Sequence, residues 1–165
     1  RTVPDFPIQG IQFRDITPVL ANPALMKRIA ESFAESVAET KPTAVAGPEA
    51  RGFIFAPLLA AQLDCPFIPI RKPGKLPSET VSVDYELEYG TNTLEMHKDA
   101  LADKDRVIIV DDLLATGGTV QAAISLIEGT GAQIAGTCFV IELLGLNGRG
   151  KIEPIPVHSL IALPA

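Results

Sequence analysis

The sequence predicts an α/β fold in which a mostly parallel, twisted sheet is flanked by helices. Short Val- and Ile-rich segments alternate with segments of helical hydrophobic spacing, the order typical of such a sheet. The segment RVIIVD (106–111) has four consecutive apolar residues, as expected for a strand buried on both faces. A segment of strict two-residue alternation, 81–89, interrupts this order and predicts an inserted β-hairpin.

The N-terminal elements are predicted from proline positions and helical spacing. Residues 1–21 are rich in proline and short apolar runs, which indicates an irregular arm that forms a small hood. Asn22 and Pro23 provide an N-cap and a proline suited to a first helical turn. The apolar side chains that follow recur at helical spacing, so we expect an amphipathic helix over 23–39.

The other elements alternate along the rest of the chain. We expect strands at 43–47, 66–70, 106–111, 133–142 and 155–163, and helices at 53–63 and 119–129. Pro57 is expected near the first turn of its helix, where proline is tolerated. The segment 71–97 is expected to form a mobile basic loop and then a hairpin lid, with strands 81–89 and 93–97. No linker or internal repeat is visible in the sequence, so we expect one domain over 1–165.

The composition of the chain excludes some classes of binding partner and indicates the cellular setting. The 165 residues carry a net charge of −6, which argues against general binding to nucleic acid or to an anionic membrane. No apolar run is long enough to span a membrane, and the chain does not open on a secretory signal pattern. Cys65 and Cys138 lie in apolar surroundings, and His97 and His158 complete no zinc-binding spacing. A reducing, cytoplasmic setting is therefore expected.

The richest segment for chemistry is VIIVDDLLATGGT (107–119). A buried strand delivers two adjacent carboxylates, and a small-residue loop then opens a helix. Glycines let backbone N–H groups approach an anion closely, and a helix N-terminus adds partial positive charge, so the loop suits a phosphate monoester. The carboxylates suit a neighbouring diol such as a ribose. The candidate phosphate- and ribose-binding residues are Asp111, Asp112, Ala115, Thr116, Gly117, Gly118 and Thr119.

This run resembles the phosphoribosyl diphosphate (PRPP) signature of the type I phosphoribosyltransferases. The segments 6–20, 46–55, 70–101 and 111–119 are similar to the adenine-specific enzymes of that family, in the same order and spacing. The resemblance implies purine salvage: adenine and PRPP give AMP and pyrophosphate. It also implies Mg²⁺ held mainly by PRPP and pyrophosphate without a direct protein ligand, and a homodimer as the assembly.

The resemblance also assigns residues to the leaving group and to catalysis. The residues that it places on pyrophosphate are Glu49, Ala50, Arg51, Lys72 and Lys75. In this family the peptide of the 49–51 loop can be cis. Glu88, next to the hairpin turn, becomes the candidate catalytic carboxylate that manages the purine proton. Glu86 points to the same face of its strand and competes for that role.

The adenine pocket depends on the resemblance alone. The residues implied are Gln12, Phe13, Arg14 and Leu143. Phe13 would stack on the base, backbone groups of Gln12 and Arg14 would read its edge, and Leu143 would pack on the other side. Phe13 could equally anchor the arm to the core, since most aromatic side chains serve packing. Two alternatives for the chain remain open: another purine as the substrate, or a PRPP-binding regulator without catalysis.

Overall fold

The computed structural model describes residues 1–86 and 91–165, with the side chain of Glu86 left undescribed. The strands within these residues are β1 (Thr2–Pro4), β2 (Gln12–Arg14), β3 (Ala44–Pro48), β4 (Phe67–Ile70), β5 (Thr80–Glu86), β6 (Thr91–His97), β7 (Arg106–Leu114), β8 (Gln133–Leu144) and β9 (Val157–Pro164). The helices are α1 (Thr17–Leu20), α2 (Pro23–Val37), α3 (Gly52–Gln62), α4 (Gly118–Glu128) and α5 (Gly148–Lys151), with a 3₁₀ turn over Ala38–Thr40.

Five strands form the central sheet, in the order β4-β3-β7-β8-β9, and every neighbouring pair is parallel. This confirms the predicted α/β fold with a parallel sheet flanked by helices. Because the chain runs outward from β3 to β4 and then returns to β7, strand β7 lies at the centre, between β3 and β8. Ligands of such sheets bind beyond the carboxyl ends of the strands at such a switch in order.

Strand β7 separates two hydrophobic clusters, one on each face of the sheet. Val107 and Ile109 belong to the cluster that includes the buried face of α4. Ile108 and Val110 belong to the cluster that includes Phe33 of α2 and residues of α3. All four strand residues have 0% exposure, so each contributes about 1.5–3 kcal/mol of hydrophobic stabilisation. The continuous apolar run in β7 is thus explained by helices on both faces.

The predicted hairpin is present, and its stem packs on the body of the protein. Strands β5 and β6 pair antiparallel. Leu94 and Met96 of β6 are buried in the cluster that also contains α4, and Val83 and Tyr85 of β5 pack against it. Residues 87–90, which include Glu88 and the end of the predicted first strand (81–89), lie outside the described residues. The second strand begins at Thr91 rather than at 93.

The prediction of an irregular N-terminal arm is wrong. Strands β1 and β2 pair antiparallel, with Val3 opposite Phe13, and helix α1 follows. The Asp5 side chain accepts a hydrogen bond from the Gly10 amide at 2.7 Å and thereby closes the loop between the two strands. Strands of three residues are too short to show periodicity, which explains why the sequence did not predict them.

The structure differs from the sequence predictions in three further places. Strand β7 continues to Leu114 rather than ending at 111, because β8 stays paired with it up to Glu142. Helix α2 ends at Val37, and a 3₁₀ turn completes the predicted segment. Pro57 lies in the interior of α3, not in its first turn. The missing N–H costs that helix one hydrogen bond, while neighbouring buried side chains such as Phe55 and Leu59 hold the helix in place.

Candidate active site

A cleft of about 750 Å³ opens at the carboxyl end of β7. Its lining comes from the end of β7, the loop that follows, the first turn of α4, the loop after β3, strand β8 and helix α5. The residues are Arg51, Asp111, Asp112, Leu113, Leu114, Ala115, Thr116, Gly117, Gly118, Thr119, Val120, Phe139 and Lys151. All seven residues that the sequence predicts for phosphate and ribose binding therefore line one cleft.

The candidate phosphate loop, residues 115–119 and called the phosphate loop below, depends on a glycine that no other residue can easily replace. Gly117 is the N-cap of α4 and has φ +82°, a left-handed conformation that L side chains rarely adopt. A Cβ at this position would lie 2.8 Å from the carbonyl oxygen of Gly148. The first N–H groups of α4 have no carbonyl partner within their own helix. They are thus suited to an anion in the cleft.

The two adjacent aspartates have different surroundings. The Oδ2 atom of Asp112 lies 2.6 Å from Nε of Arg51, and Asp112 is only 3% exposed. The Asp111 carboxylate accepts a hydrogen bond from the Asp112 amide at 2.8 Å. Burial, followed by the charge of Asp112, raises the pKa of Asp111 well above its ordinary value. The ion pair with Arg51 offsets the charge of Asp112, which lowers the repulsion of a phosphorylated ligand by these two aspartates.

Gly52 lets the loop after β3 approach these aspartates. A Cβ on Gly52 would lie 2.8 Å from the carbonyl oxygen of Val110 and 3.4 Å from Oδ1 of Asp111. The peptide between Glu49 and Ala50 in this loop is cis. The loop thus brings Arg51 to the cleft beside β7.

The Arg51 side chain contacts both the cleft and the N-terminal hood. Besides its ion pair with Asp112, its guanidinium lies 6.0 Å from the centroid of the Phe13 ring, within the range of a cation–π contact. Arg51 pairs with Asp112, whereas its near neighbour Glu49 pairs with Arg71 and Lys75. The structure thereby brings together one residue predicted for pyrophosphate and one predicted for adenine.

Glu49 holds the basic loop that follows β4. Its carboxylate lies 2.8 Å from Nε of Arg71 and 3.0 Å from Nζ of Lys75, and it accepts the backbone N–H of Lys72 at 3.1 Å. Desolvation acts to raise the pKa of Glu49, but these three hydrogen bonds outweigh it and lower the pKa to about 2. The carboxylate is therefore ionised at neutral pH and offsets one of the three positive charges of Arg71, Lys72 and Lys75.

The residues predicted for adenine lie at the hood and at the end of β8. Phe13 is half-buried and makes an edge-to-face contact with Phe6, with ring centroids 5.0 Å apart. The Arg14 guanidinium donates to Thr2 Oγ1 and to the Pro164 carbonyl, so this side chain already has partners and its backbone remains the candidate reader of the base. Leu143 is half-buried, and Gln12 is exposed.

One charged residue of the cleft was missed by the sequence interpretation. Lys151, at the end of α5, lines the same cleft as the phosphate loop. The segment NGRGK (147–151) follows strand β8, so its position after a parallel strand was the available signal. The apolar wall residues Leu113, Leu114, Val120 and Phe139 were also missed, because an apolar lining residue looks like a core residue in sequence.

The family model described as "Phosphoribosyl transferase domain" matches residues 15–156, which include the hairpin, the phosphate loop and α5. The chain belongs to the phosphoribosyltransferase family. An adenine phosphoribosyltransferase of Francisella philomiragia is 55% identical over 96% of this chain and 92% of its own length. The enzyme of the same name from Carboxydothermus hydrogenoformans is 54% identical over 96% and 94%. These relatives confirm the resemblance to adenine phosphoribosyltransferases.

Two crystal structures of phosphoribosyltransferases support the same assignment. Adenine phosphoribosyltransferase from Thermoanaerobacter pseudethanolicus has a TM-score of 0.96 at 49% identity and covers 99% of this chain and 95% of its own. The enzyme from Saccharomyces cerevisiae, complexed with adenine and an imino-altritol bisphosphate, has a TM-score of 0.91 at 41% identity, with coverage of 97% and 93%. The family and the fold class predicted from sequence are thus confirmed. In the part of the phosphoribosyltransferase chain that the structure describes, no helix is long and apolar enough to cross a membrane.

Proposed function

We propose that the chain transfers the 5-phosphoribosyl group of PRPP to adenine and releases AMP and pyrophosphate, as a step of purine salvage. The observation that carries this proposal is the cleft at the end of β7, where the TGGT loop, the paired aspartates and Arg51 converge. Adenine is favoured over other bases because an adenine phosphoribosyltransferase is 55% identical to this chain over 96% of its length. The chain acts as one phosphoribosyltransferase domain.

The proposed reaction is a substitution at C1′ of the ribose. A ring nitrogen of adenine forms the new bond to C1′, the bond from C1′ to the pyrophosphate oxygen breaks, and the base loses one proton. Positive charge develops on the ribose and negative charge on the leaving group, so the site must neutralise pyrophosphate as it departs. The phosphate loop holds the 5′-phosphate, Asp111 and Asp112 face the ribose hydroxyls, and Arg51 contacts pyrophosphate.

Pyrophosphate binding is proposed to proceed by exchange of ion-pair partners. Arg51 is paired with Asp112, and Lys75 with Glu49, before substrate arrives. A doubly charged phosphate offers more negative charge than one carboxylate, so it competes for these cations when it enters. Glu49, Ala50 and Lys72 complete the pyrophosphate side of the site in this proposal.

Mg²⁺ is proposed to enter as a complex with PRPP. Among the described residues, no group of three or more His, Cys, Asp or Glu side chains could hold a metal ion. Mg²⁺ is commonly held by substrate phosphates together with only one or two carboxylates. Asp112 pairs with Arg51, and Asp111 accepts a backbone N–H. The carboxylate oxygens of both residues are proposed to contact the ribose end of such a complex. The bound metal supplies charge neutralisation on pyrophosphate.

A panel of bases tests the substrate proposal. Pyrophosphate release is measured with PRPP, Mg²⁺ and adenine, hypoxanthine, guanine, xanthine or orotate. We expect turnover with adenine and at least about 100-fold lower kcat/KM with the other bases, because a site that pairs with one base edge leaves polar groups unpaired against another. Turnover with a different purine would refute the adenine assignment. PRPP binding without turnover of any base would favour a PRPP-binding regulator.

Glu88 is the proposed acid–base residue, at the hairpin position that lies outside the described residues. We expect Glu88→Gln to lower kcat with adenine by about 100-fold, because general acid–base catalysis contributes roughly 10²–10⁴. KM for PRPP is expected to change little. Glu86→Gln is the matched control, since Glu86 is the competing carboxylate two residues away. If Glu86→Gln shows the larger loss, the roles are reversed, and near-normal turnover of both variants would contradict the assignment.

The remaining proposals concern assembly and setting. The homodimer is proposed from the family resemblance, and the exposed apolar side chains of Leu25 in α2 (40% exposed) and Leu58 in α3 (39% exposed) are available to a partner. The free thiols of Cys65 and Cys138 support a reducing, cytoplasmic setting. With a net charge of −6, we propose small-molecule substrates only, without nucleic-acid or membrane partners.

A further inference from the structure

The turn formed by Asn147 and the short helix α5, residues 147–151, packs directly on the phosphate loop. The space in which a Cβ of Gly148 would lie is occupied by the Ala115 carbonyl oxygen. On the other side of the contact, a Cβ on Gly117 would lie 2.8 Å from the Gly148 carbonyl oxygen. The Gly148 Cβ would also lie 3.0 Å from Cδ1 of the Leu114 side chain. Two segments that are 31 positions apart in the chain thus meet largely through backbone atoms. The turn therefore forms a second wall of the phosphate cleft.

An ion pair between the half-exposed guanidinium of Arg149 and the buried carboxylate of Glu142 fixes this turn to the sheet. Nε and Nη2 of Arg149 donate to the two carboxylate oxygens of Glu142 at 2.9 and 2.5 Å, and Nη1 donates to the Val157 carbonyl at 3.0 Å. The Ser159 hydroxyl donates to Glu142 at 2.6 Å, and Glu142 is 7% exposed. Such a bidentate pair has a defined geometry. Arg149 therefore ties α5 to both β8 and β9.

Lys151 is the next cation along this turn, and it has a different environment from Arg149. It lines the phosphate cleft and is solvent-exposed. Within residues 1–86 and 91–165, no carboxylate lies at salt-bridge distance from it, whereas the other cation of the cleft lining, Arg51, is paired with Asp112. Lys151 thus offers the cleft a positive charge that the described part of the protein does not neutralise.

The sheet order places the two cations on opposite sides of the phosphate loop. Arg51 follows β3, the phosphate loop follows β7, and Lys151 follows β8, while the strands are ordered β3-β7-β8. A ligand with one phosphate in the loop and a pyrophosphate towards β3 therefore has Lys151 at its monophosphate end. Lys151 therefore lies on the β8 side of the phosphate loop, whereas the basic loop after β4 lies on the β3 side, where pyrophosphate is proposed to bind.

We propose that Lys151 is a further substrate-binding residue, which binds the 5′-phosphate of PRPP from the β8 side of the cleft and is positioned there by Arg149. The inference deepens the proposed function and depends on its assignment of the phosphate loop to the 5′-phosphate. The Lys151 ammonium adds a charge-assisted contact to the backbone N–H groups of the loop. Lysine suits this position because it acts as a point charge at the exposed edge of the site.

The test uses two ligands that separate the ends of the substrate. The affinities of the whole protein for ribose 5-phosphate and for pyrophosphate are measured by calorimetry. We expect Lys151→Gln to weaken ribose 5-phosphate binding and to raise KM for PRPP by about tenfold, the effect of losing one charged contact at a half-open site. Pyrophosphate affinity and kcat at saturating PRPP are expected to stay within about twofold of wild type.

Two control variants keep the result specific to this position. Lys151→Arg retains the charge and is expected to bind ribose 5-phosphate within about threefold of wild type. Lys104→Gln removes the same charge from an exposed residue just before β7, at the opposite end of the sheet, and is expected to behave like wild type. Together these variants separate a local contact from a change in net charge.

The proposal is overturned if Lys151→Gln leaves ribose 5-phosphate affinity unchanged, if it weakens pyrophosphate binding as strongly, or if Lys104→Gln produces the same loss. Failure of the proposed adenine specificity is seen separately in the panel of bases. A protein that turns over another base would still give a valid comparison here, because neither ribose 5-phosphate nor pyrophosphate contains a base.

Discussion

Gly117→Ala is expected to lower kcat/KM for PRPP by about 1,000-fold, the loss that corresponds to about 4 kcal/mol of phosphate contacts. The new methyl group would meet the Gly148 carbonyl oxygen at 2.8 Å, which is closer than real Cβ contacts allow. Because Gly148 packs against Ala115 in the same loop, the clash cannot be relieved without moving the wall of the cleft. The backbone N–H groups would then no longer converge on one phosphate.

Gly145→Ala is the matched control for this prediction. Gly145 also has a positive φ, +91°, but no atom lies within 4 Å of its would-be Cβ. Both variants carry the backbone strain of an L residue at positive φ, about 1–2 kcal/mol of stability. Only Gly117→Ala adds the clash. Thermal unfolding and steady-state kinetics are measured on both. An equal loss of PRPP activity in the two variants would contradict the role assigned to the loop geometry.

The sheet could be predicted from sequence because its strands carry a strong local signal. Strand β7 contains four consecutive apolar residues that are fully buried between two layers of helices, so composition and environment agree. The β1–β2 pair could not be predicted in this way. Its three-residue strands are closed by local hydrogen bonds such as that between Asp5 and Gly10, and these bonds leave no periodic pattern.

Part of the candidate site could be predicted from the sequence for the same reason, and part could not. The phosphate loop is one contiguous segment, so its residues could be found together in the sequence and all line the cleft. Partnerships between distant segments could not be read in advance. Arg51 pairs with Asp112 and Lys75 with Glu49, and these choices depend on the order of β3, β4 and β7 in the sheet. Lys151 was missed for the same reason, since its distance from the loop is set by tertiary packing.

The Arg51–Asp112 pair leads to the second large expected effect, because Arg51 is proposed to serve both stability and catalysis. Arg51→Ala would leave Asp112, which is 3% exposed, without its cation and beside Asp111. Removing one partner of a buried pair costs about 3–5 kcal/mol. The Arg51 side chain is 47% exposed, so water can enter, and we expect a smaller decrease of about 2 kcal/mol in the free energy of unfolding. Loss of charge stabilisation on pyrophosphate is expected to lower kcat by about 100- to 1,000-fold.

The double variant Arg51→Ala/Asp112→Asn separates the two effects. Replacing the carboxylate by a neutral amide removes the unpaired buried charge, so most of the lost stability should return, to within about 1 kcal/mol of wild type. Activity should remain low, because the cation for the leaving group is still absent. Urea unfolding and pyrophosphate release are measured on the single and double variants. Recovery of activity together with stability would show that Arg51 acts only by holding Asp112 in place. If stability did not recover, the ion pair would not be the source of the loss.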